Sequence, residues 1–159
     1  MDIFAIISSQ YLAALEMLKQ TIALCPAQLW DAPGDKTKVW QLAYHALFYT
    51  HLYLQDSEQA FTPWDRHRKD IHRISQPQEG EAYDRESLLE YLAFCQREVE
   101  RCVPGLELEA ESGFDWLPFN KLELQLYNIR HIQQHTGELM ERLGERAQLE
   151  FRWVGMRPD

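Results

Sequence analysis

Long apolar runs are missing from this chain, and so are the cysteine patterns that staple or metallate small domains. Nothing among its 159 residues approaches the roughly 20 consecutive apolar residues of a transmembrane helix. The N-terminus has no basic stretch followed by an apolar one, so no signal segment is expected and the cytoplasm is the expected compartment. Cysteines number three (Cys25, Cys95 and Cys102), an odd count without C-x-x-C spacing. Neither a disulfide framework nor a zinc finger is suggested, and all three are expected reduced and buried. Positive charge is scarce: 16 Lys and Arg against 25 Asp and Glu leave a net charge of −9. That balance argues against a nucleic-acid backbone or an anionic membrane as partner. Internal repeats and low-complexity segments are also lacking.

What remains is a chain that can pack. Apolar residues make up 45% and aromatics 12%, enough for one domain with a real core spanning residues 1–159. Four stretches carry helical periodicity. Residues 2–24 repeat Ile3, Ile6/Ile7, Leu12 (or Tyr11), Leu15, Leu18 and Ile22 until Pro26 stops them, with a short helical turn to Trp30 beyond. Residues 37–55, with Thr37 as N-cap, are apolar nearly all round, which places this helix centrally. Asp84 caps a third helix ending at Val103, whose stripe is Leu88/Leu89, Leu92, Cys95, Val99 and Cys102. Asn120 with Glu123 reads as a capping box for a fourth helix to Leu143, and Gly144 is placed to end it. The expectation is an all-α four-helix bundle with a long connection between the second and third helices. A short extended C-terminal tail, Phe151-Arg-Trp-Val-Gly, should fold back on it.

The histidines are where the pattern turns from packing to chemistry. His131 and His135 stand one turn apart on the fourth helix and share a side with Leu124 and Tyr127. His45 lies in the middle of the most apolar helix, flanked on its face by Leu42, Tyr49 and Leu52. A buried imidazole must find a hydrogen bond or a metal, since an unpaired buried polar group costs about 1–3 kcal/mol. His51, about 120° round the same helix, cannot serve the same site. The H-E-x-x-H pattern of zinc proteases is absent, because Ile132 follows His131 where that site needs glutamate. Three imidazoles on facing helices suit zinc, and also nickel, iron or copper; three ligands leave a position open for water or substrate. Residues 56–82, with Pro63, Pro77 and Gly80, are the least regular part. A connection that long either spans the fold or lines a site. His67 and His72 lie there among arginines and a lysine and are expected to be solvated.

Glu138, one turn past His135, can orient an imidazole or act as a base. Tyr49 and Tyr127, one turn from His45 and His131, can donate a hydroxyl to substrate. Each also has an ordinary reading, as a solvated helix glutamate and as core aromatics. Cys95 and Cys102, at i and i+7, read as core rather than as a redox pair.

The stretches Trp40-Gln-Leu-Ala-Tyr-His45-Ala-Leu-Phe-Tyr and His131-Ile-Gln-Gln-His135-Thr-Gly-Glu-Leu resemble the DinB/YfiT-like superfamily of four-helix metal-dependent proteins. The resemblance covers the whole chain in element order. It implies one divalent ion, often nickel or zinc, on His45, His131 and His135, and frequent homodimers. Relatives include thiol-dependent S-transferases and isomerases, which implies a small-molecule substrate and a low-molecular-weight thiol. One departure stands out: the family often follows its last histidine with Arg-Gly-Gln, and here stand Thr136, Gly137 and Glu138. Two functional classes follow. One is a metal-assisted transferase, isomerase or hydrolase. The other is a non-catalytic helical binding protein whose metal is structural or vestigial.

Overall fold

The computed structural model describes residues 1–74 and 80–158. Pro77, expected within the irregular connection, lies outside the described residues. The elements are α1 (Ile3–Leu24), α2 (Ala27–Trp30), α3 (Val39–Tyr53), α4 (Arg85–Cys102) with one 3-10 turn (Val103–Gly105), and α5 (Lys121–Ala147). The fold is all-α. Among the described residues the strand-like pairing is a single isolated bridge between Glu111 and Asn120. No described helix is long and apolar enough to cross a membrane.

Local chemistry sets most of the helix ends. The Asp2 carboxylate accepts from Ala5 N, Asp84 from Ser87 N at 2.7 Å, and the Asn120 side chain from Glu123 N at 2.9 Å. Each satisfies a first-turn N–H that has no helical partner. Two ends differ from the sequence expectation. Lys38, not Thr37, is the N-cap of α3; its backbone N–H donates to the Gln41 side chain, while the Thr37 carbonyl accepts from Arg142. Helix α5 runs straight through Gly144 and stops only at Gln148, which takes the left-handed conformation at φ 55°. Gly144 serves a close approach instead: a Cβ there would stand 3.4 Å from the Leu149 carbonyl oxygen.

The packing follows the apolar faces. Helix α5 lies against α1 and α3, and α4 lies against the same two from the other side. That leaves α3 enclosed, with fourteen of its fifteen residues buried and Tyr49 the exception. Leu42 and Leu47 of α3 are fully buried, and so are Leu88, Leu92, Leu124 and Ile132 of α4 and α5. Truncating one such leucine to alanine costs about 2–5 kcal/mol. The α3 face away from α1 is roofed by the connection. Tyr44 stacks on Tyr83 at 4.8 Å and Phe48 stacks on His72 at 4.0 Å. At the C-terminal end of α3, Lys121 Nζ reaches the Asp56 carbonyl, and Gly113 (φ 87°) lies so close to Asp56 that no Cβ would fit. After Gln148 the tail runs back along α1. Gln20 bonds both the N–H and the carbonyl of Arg152, Gln10 bonds the Gly155 carbonyl, and Ser9 takes the Arg157 N–H.

The expected solvation of His67 and His72 does not hold. Both rings are half-buried against α3. His67 Nδ1 stands 2.7 Å from the Tyr44 hydroxyl, and burial lowers the pKa of both imidazoles, that of His72 to about 4. The aromatic roof over Tyr44 and Phe48 supplies flat partners that outweigh the polar sequence context. Cys25 and Cys95 are buried free thiols, as expected, whereas Cys102 is only half-buried.

Candidate metal centre

Helical geometry puts His131 and His135 one above the other on α5, and the α3–α5 packing brings His45 opposite them. His45 Nε2 lies 3.0 Å from His131 Nε2, and His135 Nε2 lies 3.1 Å from the same atom. All three residues offer a ligand atom within 4.8 Å of the others. Nitrogens bound to one zinc ion at about 2.0–2.1 Å are at most about 4 Å apart. The two spacings at His131 fall within that limit, and the three side chains could hold one metal ion. His45 is 9% exposed and His135 7%.

The proton inventory fits the same conclusion. Burial is the main cause that takes the His45 pKa down to about 4 and the His131 pKa to about 3, and burial lowers that of His135 as well. All three are thus neutral, the form that ligates a cation. His45 Nδ1 faces the carbonyl oxygen of His72 at 2.6 Å, so this nitrogen must carry the hydrogen and donate it. Its Nε2 is then a bare lone pair aimed at the other two rings. One hydrogen on His131 Nε2 cannot serve two neighbours well, while a single cation at that point satisfies every lone pair. His131 Nδ1 is buried without a hydrogen-bond partner.

Around the triad the other expected site residues are unequally placed. The Tyr49 ring packs against His45 at 4.8 Å and edge-on to His131 at 5.4 Å, and burial raises its hydroxyl pKa. Glu138 Oε2 stands 3.5 Å from His135 Nδ1, too long for a formed hydrogen bond but close enough to act through charge. Its other oxygen accepts from Arg142 at 3.0 Å, and Arg142 also donates to the Thr37 carbonyl. Tyr127 has Tyr53 and Phe119 as ring partners instead of an imidazole of the triad. His51 turns to the α4 side, where its Nδ1 meets the Tyr91 hydroxyl at 3.2 Å. Two contributors escaped the sequence. The His72 carbonyl is a backbone atom and carries no residue signature. Arg142 reads as an ordinary helix arginine until the Thr37 loop is seen beside it.

A cavity of about 770 Å³ lies on the other face of α3, not at the triad. This is no objection, because nitrogens 3 Å apart leave room for an ion and not for a chamber. Comparison of the chain with protein-family models, curated proteins and solved structures found no match.

Proposed function

We propose that this chain is a divalent-metal-dependent enzyme acting on a small molecule, a DinB-like four-helix bundle with His45, His131 and His135 as its ligands. The observation that carries the reading is the convergence of three neutral Nε2 atoms from two helices, at spacings of 3.0 and 3.1 Å. Three imidazoles favour zinc or nickel, with iron as a further choice. Three protein ligands, without a carboxylate or thiolate joining them among the described residues, mark an open site rather than a closed structural one. When bound, the ion supplies Lewis-acid polarisation and lowers the pKa of the small ligand that shares it.

The chain's own residues prepare that chemistry. The His72 carbonyl holds the His45 ring in one tautomer and one orientation. Glu138 draws the Nδ1 side of His135 by charge, and Arg142 anchors Glu138. Tyr49, beside both His45 and His131, keeps its proton and is the residue placed to donate it. Transfer from a low-molecular-weight thiol, isomerisation and hydrolysis all suit such a centre. Exposed Ile6, Trp153 and Met156, at 46%, 72% and 70%, support a homodimer that covers them.

Metal analysis tests the reading. Protein loaded with zinc or nickel and desalted should carry one ion per chain, and His135→Ala nearly none. Equal content in both refutes the ligand assignment. Turnover in a screen of thiols and small electrophiles, together with an exchangeable solvent ligand on the ion, separates the enzyme from a binding protein with a structural metal.

A further inference from the structure

The second imidazole of α3 stands over a cavity of about 770 Å³ between α3, α4 and the connection. That volume lies within the range of small-molecule sites, about 300–1,000 Å³. His51 is 3% exposed and held edge-on between Phe61 and Phe94, at 4.9 and 4.8 Å. The Tyr91 hydroxyl, itself fully buried, reaches His51 Nδ1. A buried phenol must place its hydrogen somewhere, and His51 Nδ1 is the acceptor beside it. The remaining hydrogen of the neutral ring is then on Nε2, which has no protein partner among the described residues. Burial lowers the His51 pKa to about 4, in keeping with a neutral ring.

The walls are built rather than incidental. Trp64 stacks on Tyr91 at 4.5 Å and 7°, with the Arg66 guanidinium also over the Trp64 ring. Arg66 pairs with Glu90, and Arg101 with Glu98, which also takes a bond from Gln55. Arg97 makes no ion pair among the described residues, and neither does Asp65. Three arginines and three carboxylates line the cavity, so its charge balances. A polyanion such as a nucleotide gains nothing there, whereas a single carboxylate meets a lining that carries both the His51 imidazole and Arg97, with Arg101 offsetting the Glu98 charge beside His51.

We propose that this cavity binds a small aromatic monocarboxylate, its ring against Phe94 and Trp64 and its carboxylate on Arg97 and His51 Nε2–H. This site is separate from the triad and does not depend on the metal reading. Ligand-observed NMR and calorimetry with benzoate, and with benzamide and benzylamine as the neutral and cationic counterparts, test it on the full chain. Benzoate should bind with Kd of about 1 mM or tighter, benzamide more weakly and benzylamine not measurably. Arg97→Gln, an exposed change that leaves the fold alone, should weaken benzoate about tenfold and benzamide little. Ala93→Phe, which fills the cavity from α4, should abolish both, and His135→Ala should leave both intact. No benzoate binding to the wild type overturns the proposal. So does binding indifferent to both Arg97→Gln and Ala93→Phe, or binding lost in His135→Ala, which would move the ligand to the triad.

Discussion

The two sides of α3 carry the same side chain in opposite circumstances. His45 and His51, six residues apart, are both buried and both have pKa values driven down to about 4 by burial. On the α5 side, the Nε2 of His45 meets that of His131, which also meets that of His135, and the His45 Nδ1 proton goes to a backbone carbonyl. On the α4 side, the proton of a tyrosine occupies one nitrogen of His51, the other has no protein partner among the described residues, and the residue lines a cavity. Burial alone therefore says little about what a histidine does. The partner of its second nitrogen decides whether it offers a lone pair or a hydrogen.

That contrast can be broken most directly by metal. His135→Ala should lower affinity for zinc or nickel at least about 100-fold, whereas His51→Ala should leave one ion per chain, by elemental analysis and competitive chelation. His67→Ala and His72→Ala should also leave it, since the His72 contribution is its carbonyl. Equal losses at His135 and His51 would erase the distinction between the two faces.

A second effect is on stability. At free metal about 100 times Kd, binding adds about 2.7 kcal/mol. For a domain of this size that raises Tm by about 5–10 °C. Scanning calorimetry should show the rise in wild type and His51→Phe, and none in His135→Ala.

Acid should act on both faces in metal-free protein. The folded-state pKa values of His45, His51 and His131 lie near 4, 4 and 3, below the unfolded value near 6.5. As pH falls, the unfolded chain takes up protons first. The stability these groups allow is fully present above about pH 6.5 and is lost as pH drops towards 4. Urea unfolding from pH 7 to 4 should show that slope, shallower in His51→Phe. Saturating zinc should delay its onset in wild type. A flat profile would mean that these rings are not buried neutral.

The smallest expected effect concerns one hydroxyl. Tyr91→Phe removes the partner of His51 Nδ1 and should cost about 1 kcal/mol, or about 2–4 °C in Tm, without changing metal content. A change in metal content would show that the two faces communicate through α3.

Much of this was legible in the sequence because its causes are local. Asp84 and Asn120 cap α4 and α5 by side chains that reach only three residues ahead. The phase of His45 and His51 follows from 3.6 residues per turn. Gly144 misled because a glycine near a helix end has two uses, termination and close approach, and only the path of Leu149 tells them apart. His67 and His72 misled for a similar reason. Their neighbours in sequence are charged, but their neighbours in space are Tyr44 and Phe48.

By itself, then, the sequence determined where the helices run and that imidazoles stand on packed faces of two of them. Periodicity and capping act within a few residues, so the letters carry them. Only the tertiary structure decided that His45 meets His131, 86 residues away, and that the His72 carbonyl settles which nitrogen points inward. It alone opened a cavity beside His51. Those outcomes depend on how side-chain volumes fit between helices and on backbone atoms every residue shares, and neither leaves a mark at a single position of the chain.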